Sequence, residues 1–268
     1  MFSPLSHHSS LKIQYVGSLK TSKSSVLTSQ HIWYVGITNP ACSLLTAAEV
    51  YGSPEEHPQR EEYWGHVNCI GPRACYDEGK RVAEALTYSY ARQDDVDVRV
   101  ARIFNTFGKI LPRSRFFVIF IYIVGPRMNW NDGRVVSNFI LQALRGESLE
   151  IYGDGTATRS FQYIHDLVDG LIKLMNSDCK EPINLGNPQE FTIEEFAQLS
   201  FDLVSEVKQL GDAIKPKLIY LPPVTDDPPK RRPDITRAKE RLGWEPKWKV
   251  RDGMLETSKY TNYQSYDM

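Results

Sequence analysis

From about residue 41 onward, strand-like and helix-like segments alternate, and this alternation is the strongest constraint on the fold. CSLLTAAEVYG starts as an apolar strand and ends in a polar turn, YDEGKRVAEALTYSYARQ (76–93) has helical composition, and DVRVARIFN (97–105) is a β-branched strand. In RVVSNFILQALRG (134–146) the apolar residues at 135, 136, 139, 140, 141 and 144 form one helical face, closed by a C-terminal glycine. A second amphipathic helix follows at 163–177, then the short strand INLG at 183–186. Thr192 and Glu195 read as a capping box opening another helix, and ITRAKERLG (235–243) reads as the last helix, stopped by Gly243. Strands alternating with helices predict an α/β fold with a mostly parallel sheet. Residues 1–40 show no clear period, and the chain contains no GxGxxG or GxxGxxG turn.

The composition is that of a globular protein: 41% hydrophobic, 24% charged and a formal net charge of −1, which gives no reason to expect a nucleic-acid partner. The four cysteines lack metal-site spacing and read as free thiols. The longest apolar run, Phe116 to Val124, has nine residues, whereas a membrane helix needs about twenty. No membrane contact is therefore expected from this chain, which reads as soluble. His7-His8 is too short for a metal site, and His165, at a helix start, reads as structural.

Tyr76 and Lys80 carry the clearest local chemistry. Four residues apart in a helix, they share one face. A phenol with an ordinary pKa of about 10 is a poor base at neutral pH, but a neighbouring ammonium favours the phenolate. The pair suits removal of a proton from a sugar hydroxyl while hydride leaves for a nicotinamide. Taken alone, the spacing equally describes a solvated helix face.

The order of phrases narrows the choice. LLTAAEVYG, YWGHVN, GPRACYDEGKRVAE, RIFNTFG, GPRMNWNDGRVVSNFI, YGDGTATRSFQYIHD, INLGNPQE and KRRPDITRAKERLGWEP follow in sequence from about Leu44 to Gly253. This series resembles the extended short-chain dehydrogenase/reductase family, and within it the UDP-glucuronate-decarboxylating branch. The resemblance implies a Rossmann-like, doubly wound parallel sheet incomplete at the N-terminus and a smaller C-terminal α/β substrate domain. The expected boundaries are an atypical segment at 1–40, a remnant of the NAD-binding domain at 41–133 and a sugar-nucleotide-binding part at 134–268.

By the same resemblance, the activity is NAD-dependent decarboxylation of UDP-glucuronate to UDP-xylose through a 4-keto intermediate. Tyr76 is the base, Lys80 lowers its pKa and holds the nicotinamide ribose, and Thr106 stands on the cofactor side. Glu49 lies beside the sugar carboxylate and Arg231 near the reacting sugar. Asn105, Arg134, Tyr152 and Arg159 hold the uridine diphosphate. A homodimer and a Golgi or cytoplasmic setting are also implied. Two alternatives stay open: a truncated or mis-spliced member without NAD binding, and another sugar-nucleotide epimerase or 4,6-dehydratase.

Three departures from the family pattern bear on activity. The hydroxyl residue that the family places two positions before the glutamate is Ala47 here, and Thr46 lies one residue early, on the opposite face of a strand. Impaired hydride chemistry is expected. The glycine turn is missing, so tight cofactor binding by this chain alone is not expected. Finally, Lys109 to Gly125 interrupts FNTFGPRMN. Its junctions, encodable as donor and acceptor sites, read as a translated intron; a surface loop is the alternative.

Overall fold

The computed structural model describes residues 12–15, 33–36, 42–108, 135–209 and 215–265. The interruption at 109–125, the His7-His8 pair and Arg134 lie outside the described residues. Two short strands, β1 (Lys12–Tyr15) and β2 (Trp33–Gly36), precede β3 (Cys42–Ala47) in the segment where no period was visible. They are rich in aromatic and β-branched residues, but at four residues each they are too short to show an alternation.

The largest sheet has the order β1-β2-β3-β4-β9, with β4 at Val98–Ile103 and β9 at Pro182–Leu185. Its β3–β4 and β4–β9 pairs are parallel, whereas β1–β2 and β2–β3 are antiparallel. Parallel neighbours need long crossovers, and helix α1 (Ala74–Gln93) lies in the first of them. The second crossover holds β5 (Thr106–Phe107), α2 (Val135–Arg145), β6 (Leu149–Tyr152), β7 (Thr158–Ser160), β8 (Gln162–Tyr163) and α3 (Ile164–Met175). Strand β9, well past residue 134, thus belongs to the first sheet.

The remaining chain adds β10 (Glu190–Thr192), α4 (Ile193–Lys208), β11 (Leu218–Leu221), β12 (Lys230–Arg231), α5 (Thr236–Leu242) and α6 (Val250–Ser265). Strands β10, β7 and β12 form one small sheet, β11 pairs with β6, and β5 with β8. The capping box of α4 is present: the Glu195 amide donates to Thr192 Oγ1 at 3.0 Å, and the Thr192 amide donates to Glu195 Oε2 at 2.8 Å. Gly146 and Gly243 close α2 and α5 with φ of 70° and 55°, as their positions predict.

Helix α5 is not the last helix, because α6 follows it. The buried face of α6 combines Val250 and Met254 with Gly253, Thr257, Ser258 and Thr261, so it carries little apolar period. Thr257 and Thr261 satisfy their hydroxyls on the carbonyls four residues back, at 2.8 and 2.9 Å. A Cβ on Gly253 would come within 2.7 Å of the Tyr163 ring, so the glycine permits the close approach.

One apolar core joins α2, α3, α4, α5 and α6 to β6 and β9, with Phe161 stacked on Phe196 at 4.0 Å. At its margin the Trp244 indole donates to the Asp166 carbonyl at 3.0 Å, and the Asp166 carboxylate accepts from the Lys247 and Trp248 amides, both at 3.0 Å.

Candidate active site

At the C-terminal end of β3 the chain tightens into a 3-10 turn, Ala48–Tyr51, which carries Glu49. Gly52 ends the turn with φ 62°, and a Cβ there would lie 2.1 Å from the His66 carbonyl oxygen. Tyr51 is buried beneath it, donating to Asn184 Oδ1 at 2.8 Å and accepting from Arg102 Nη1 at 3.0 Å. Burial pushes this phenol well above the usual tyrosine range, offset in part by Arg102. Arg102 also forms a two-pronged pair with Glu84 of α1, at 2.9 and 2.7 Å.

Gln59, fully buried, fastens this turn region to a segment far along the chain. Its backbone amide donates to the Arg232 carbonyl at 2.9 Å, and its carbonyl accepts from the Asp234 amide at 2.8 Å and from Asn184 Nδ2 at 3.0 Å. Its side chain accepts from the Arg232 amide at 2.8 Å and donates to the Glu56 carbonyl at 2.7 Å. Between these fastenings, Glu49 Oε1 lies 3.2 Å from Arg231 Nη1, with side chains only 14% and 6% exposed.

On α1, Lys80 Nζ stands 5.5 Å from the centre of the Tyr76 ring. Burial lowers the Lys80 pKa from its ordinary value, and the nearby Glu49 charge partly restores it. Burial raises the Asp77 pKa; Arg73 opposes the rise at a loose 3.9 Å, while Glu49 adds to it. Glu49 thus pairs directly with Arg231 and lies near enough to Lys80 for its charge to be felt there.

Arg231 pairs in register with Arg159 across the parallel β12–β7 ladder, which sets the two guanidinia on one face. Arg159 Nη2 donates to Asp227 Oδ2 at 2.6 Å, and Arg73 Nη1 lies 3.7 Å from the same carboxylate. Burial lowers the Arg159 pKa, an effect Asp227 counters and Arg231 and Arg73 reinforce. Nε and Nη2 of Arg231 are buried with no hydrogen-bond partner among the described residues. That edge of a guanidinium is the one that takes two oxygens of a carboxylate or phosphate. Alongside lies a cleft of about 500 Å³, whose lining includes Ser53, His66, Asn68, Arg73, Asp77 and Asp226.

Contacts and register thus link Glu49, Tyr76, Lys80, Arg159 and Arg231, whereas Asn105, Thr106 and Tyr152 are described by other contacts. The Asn105 carbonyl accepts from the Gln162 amide at 2.9 Å. Thr106 Oγ1 donates to the Phe104 carbonyl at 2.8 Å and accepts from Gln162 Nε2 at 3.0 Å. These contacts hold β5 to β8. Tyr152 is 53% exposed at the end of β6. Thr46 pairs with Arg102 across the β3–β4 ladder and Ala47 with Ile103, so the two point to opposite faces. The Thr46 hydroxyl is buried and has no hydrogen-bond partner among the described residues. His165 stacks on Tyr163 at 5.0 Å and on Trp248 at 5.6 Å, a packing role. Cys69, Cys75 and Cys179 are free thiols, and the described residues place no metal-binding cluster.

Arg73, Asp77 and Asp227 were not singled out from the sequence. The four-residue spacing of Arg73 and Asp77 around Tyr76, and the acidic pair preceding KRR, are the signals that mark them.

Residues 38–257 match the family model described as GDP-mannose 4,6 dehydratase. UDP-glucuronic acid decarboxylase 1 of Danio rerio is 55% identical over 217 residues, covering 81% of this chain and 46% of that protein. UDP-glucuronic acid decarboxylase 5 of Arabidopsis thaliana is 49% identical over 237 residues, or 88% of this chain and 62% of the relative. The chain thus spans about half to three-fifths of these relatives. Among solved structures, a UDP-glucose 4-epimerase of Thermotoga maritima with UDP-glucose is 25% identical, with a TM-score of 0.68, over 84% of this chain and 64% of that one. A UDP-glucuronic acid 4-epimerase of Bacillus cereus, in complex with UDP-glucuronic acid and NAD, has a TM-score of 0.65 at 22% identity, over 84% of this chain and 62% of that one.

Proposed function

The chain belongs to the extended short-chain dehydrogenase/reductase family, and we propose that within it the chain acts as an NAD-dependent UDP-glucuronate decarboxylase. The observation that carries this reading is the meeting of Glu49, Lys80 and Arg231 beside Tyr76, at the carboxyl ends of parallel strands. Crevices at such strand ends are where ligands bind in open α/β sheets. The two relatives named above, 55% and 49% identical, carry the name UDP-glucuronic acid decarboxylase.

Tyr76 and Lys80 fit the nicotinamide ribose of NAD, since they share a helix face beside the sugar end of the site. No residue is assigned to the pyrophosphate end. When bound, NAD accepts the hydride from sugar carbon 4 and later returns it. Tyr76 takes the proton of the carbon 4 hydroxyl, and Lys80 stabilises the phenolate. Oxidation there turns the sugar acid into a β-keto acid. The bond from carbon 5 to the carboxylate then breaks, its electrons pass to an enolate, and carbon dioxide leaves. A proton added at carbon 5 completes the exchange.

The open edge of Arg231 suits the sugar carboxylate, with Glu49 at its other edge supplying a like charge that favours expulsion of carbon dioxide. Arg159, with Asn105, Arg134 and Tyr152, is assigned to the uridine diphosphate. Thr106 is assigned to the cofactor side, residues 41–133 to cofactor binding and 134–268 mainly to the sugar nucleotide.

A homodimer fits one face of α1, where Val82, Leu86 and Tyr90 recur every four residues and are 52%, 44% and 56% exposed. Family resemblance supports a Golgi or cytoplasmic setting. No helix among the described residues is long and apolar enough to cross a membrane.

The test is incubation of the purified chain with UDP-glucuronate and NAD, with products resolved by mass. UDP-xylose is expected at high NAD, slowly from the parent and faster from Ala47→Thr; its absence from both, with NAD binding seen by calorimetry, would overturn the decarboxylase reading. A product that keeps the carboxylate would instead identify an epimerase.

A further inference from the structure

Between β11 and β12 the segment 222–229 runs across the site as a strap fastened to both halves of the molecule. Asp226 Oδ2 accepts from Asn68 Nδ2 at 3.1 Å, and the Asp226 side chain lies so close to Gly71 that a Cβ there would fall 2.1 Å from that carboxylate oxygen. The next residue, Asp227, accepts from Arg159 Nη2 at 2.6 Å, while Arg159 Nη1 is held by the Thr158 carbonyl at 2.8 Å, and Asp227 stands 3.7 Å from Arg73. Arg159 is 8% exposed and Asp227 41% exposed, so the carboxylate sits on the solvent side of the guanidinium. An anion approaching Arg159 from solvent meets Asp227 already in that place. A carboxylate and a phosphate compete for the same guanidinium N–H, and their like charges repel at one site.

We propose that Asp227 is a built-in stand-in for the ligand's diphosphate, so that the strap competes with the nucleotide sugar and must lift when it binds. This rests on the assignment of Arg159 to the diphosphate. The strap neutralises a buried arginine while the site is empty, and each binding event exchanges one anion for another. Affinity is thereby lowered, and release of the product is eased.

Calorimetry of the full chain with UDP as probe tests the exchange. Asp227→Asn and Asp227→Ala are expected to bind UDP roughly three- to tenfold more tightly, the modest range of a partly exposed charge pair. Gly71→Ala, whose Cβ would displace the Asp226 carboxylate from Asn68 and so loosen the strap's neighbouring tie while leaving Asp227 and Arg159 in place, is expected to shift affinity in the same direction. Equal or weaker binding by both Asp227 variants, with melting curves like that of the parent, overturns the strap. If Arg159→Ala binds UDP as well as the parent, or if no form binds UDP, the assignment of Arg159 itself fails. Tighter binding in Asp227→Asn that disappears when Arg159→Ala is added supports both.

Discussion

Two neighbouring residues of β9 show how differently the molecule's regions are held. Ile183 points into the large apolar core beneath α3 and α5, whereas Asn184 points into a buried network of Tyr51, Gln59, Glu61 and the Asp234 carbonyl. Apolar burial is non-directional and tolerates small changes of shape. A buried polar network works only at fixed distances and angles, and an orphaned member is costly. The network lies beneath the turn that carries Glu49, where a fixed distance to Arg231 is needed. The apolar core lies where bulk support suffices.

The comparison breaks most readily at Arg102. Arg102→Ala leaves Glu84 buried and unpaired and is expected to cost about 3–5 kcal/mol in urea unfolding. Adding Glu84→Ala should recover part of that loss, because the two form one unit. A loss below about 1 kcal/mol for Arg102→Ala would show that the network contributes geometry without stability. On the apolar side, Ile183→Val removes one methylene and is expected to cost about 1 kcal/mol, with UDP affinity unchanged. A larger loss would mean that β9 is as exacting on that face as on the other.

The smallest effect is one of pH. Tyr51 has a folded-state pKa raised above its ordinary value of 10.0, chiefly by burial. Its contribution is therefore complete below pH 10 and is lost as pH rises past that value, where the unfolded chain ionises and the folded one resists. Thermal melts between pH 9 and pH 11 should fall more steeply for the parent than for Tyr51→Phe. Parallel curves would remove Tyr51 from the network's electrostatics.

The same division explains what was readable in the sequence. Elements with a long apolar period, such as α2 and α3, lie where the periodicity places them, and the Thr192–Glu195 box opens α4 through its own two residues. Helix α6 was missed because its buried face is largely hydroxyl and glycine. Strands of two or three residues, such as β5, β8 and β12, cannot show a period at all. In the site, Tyr76 and Lys80 are legible because their relation is local to one helix. The Arg159–Asp227 and Glu49–Arg231 pairs depend on tertiary placement, so their partners follow from no spacing. The tie of Thr106 to Gln162 is equally invisible before the β5–β8 pairing is known.

The Gln59 fastening has a consequence for the order in which the molecule assembles. Glu49 and Arg231 are 182 positions apart, and the hydrogen bond from the Arg232 amide to Gln59 spans 173. Contacts of such long sequence separation must overcome a large loop-closure entropy and do not form from local structure alone. The helices can be wound and the apolar core collapsed while the acid and its arginine are still apart. The charged pair is thus a record that synthesis has passed residue 231 and that folding has brought two distant segments together.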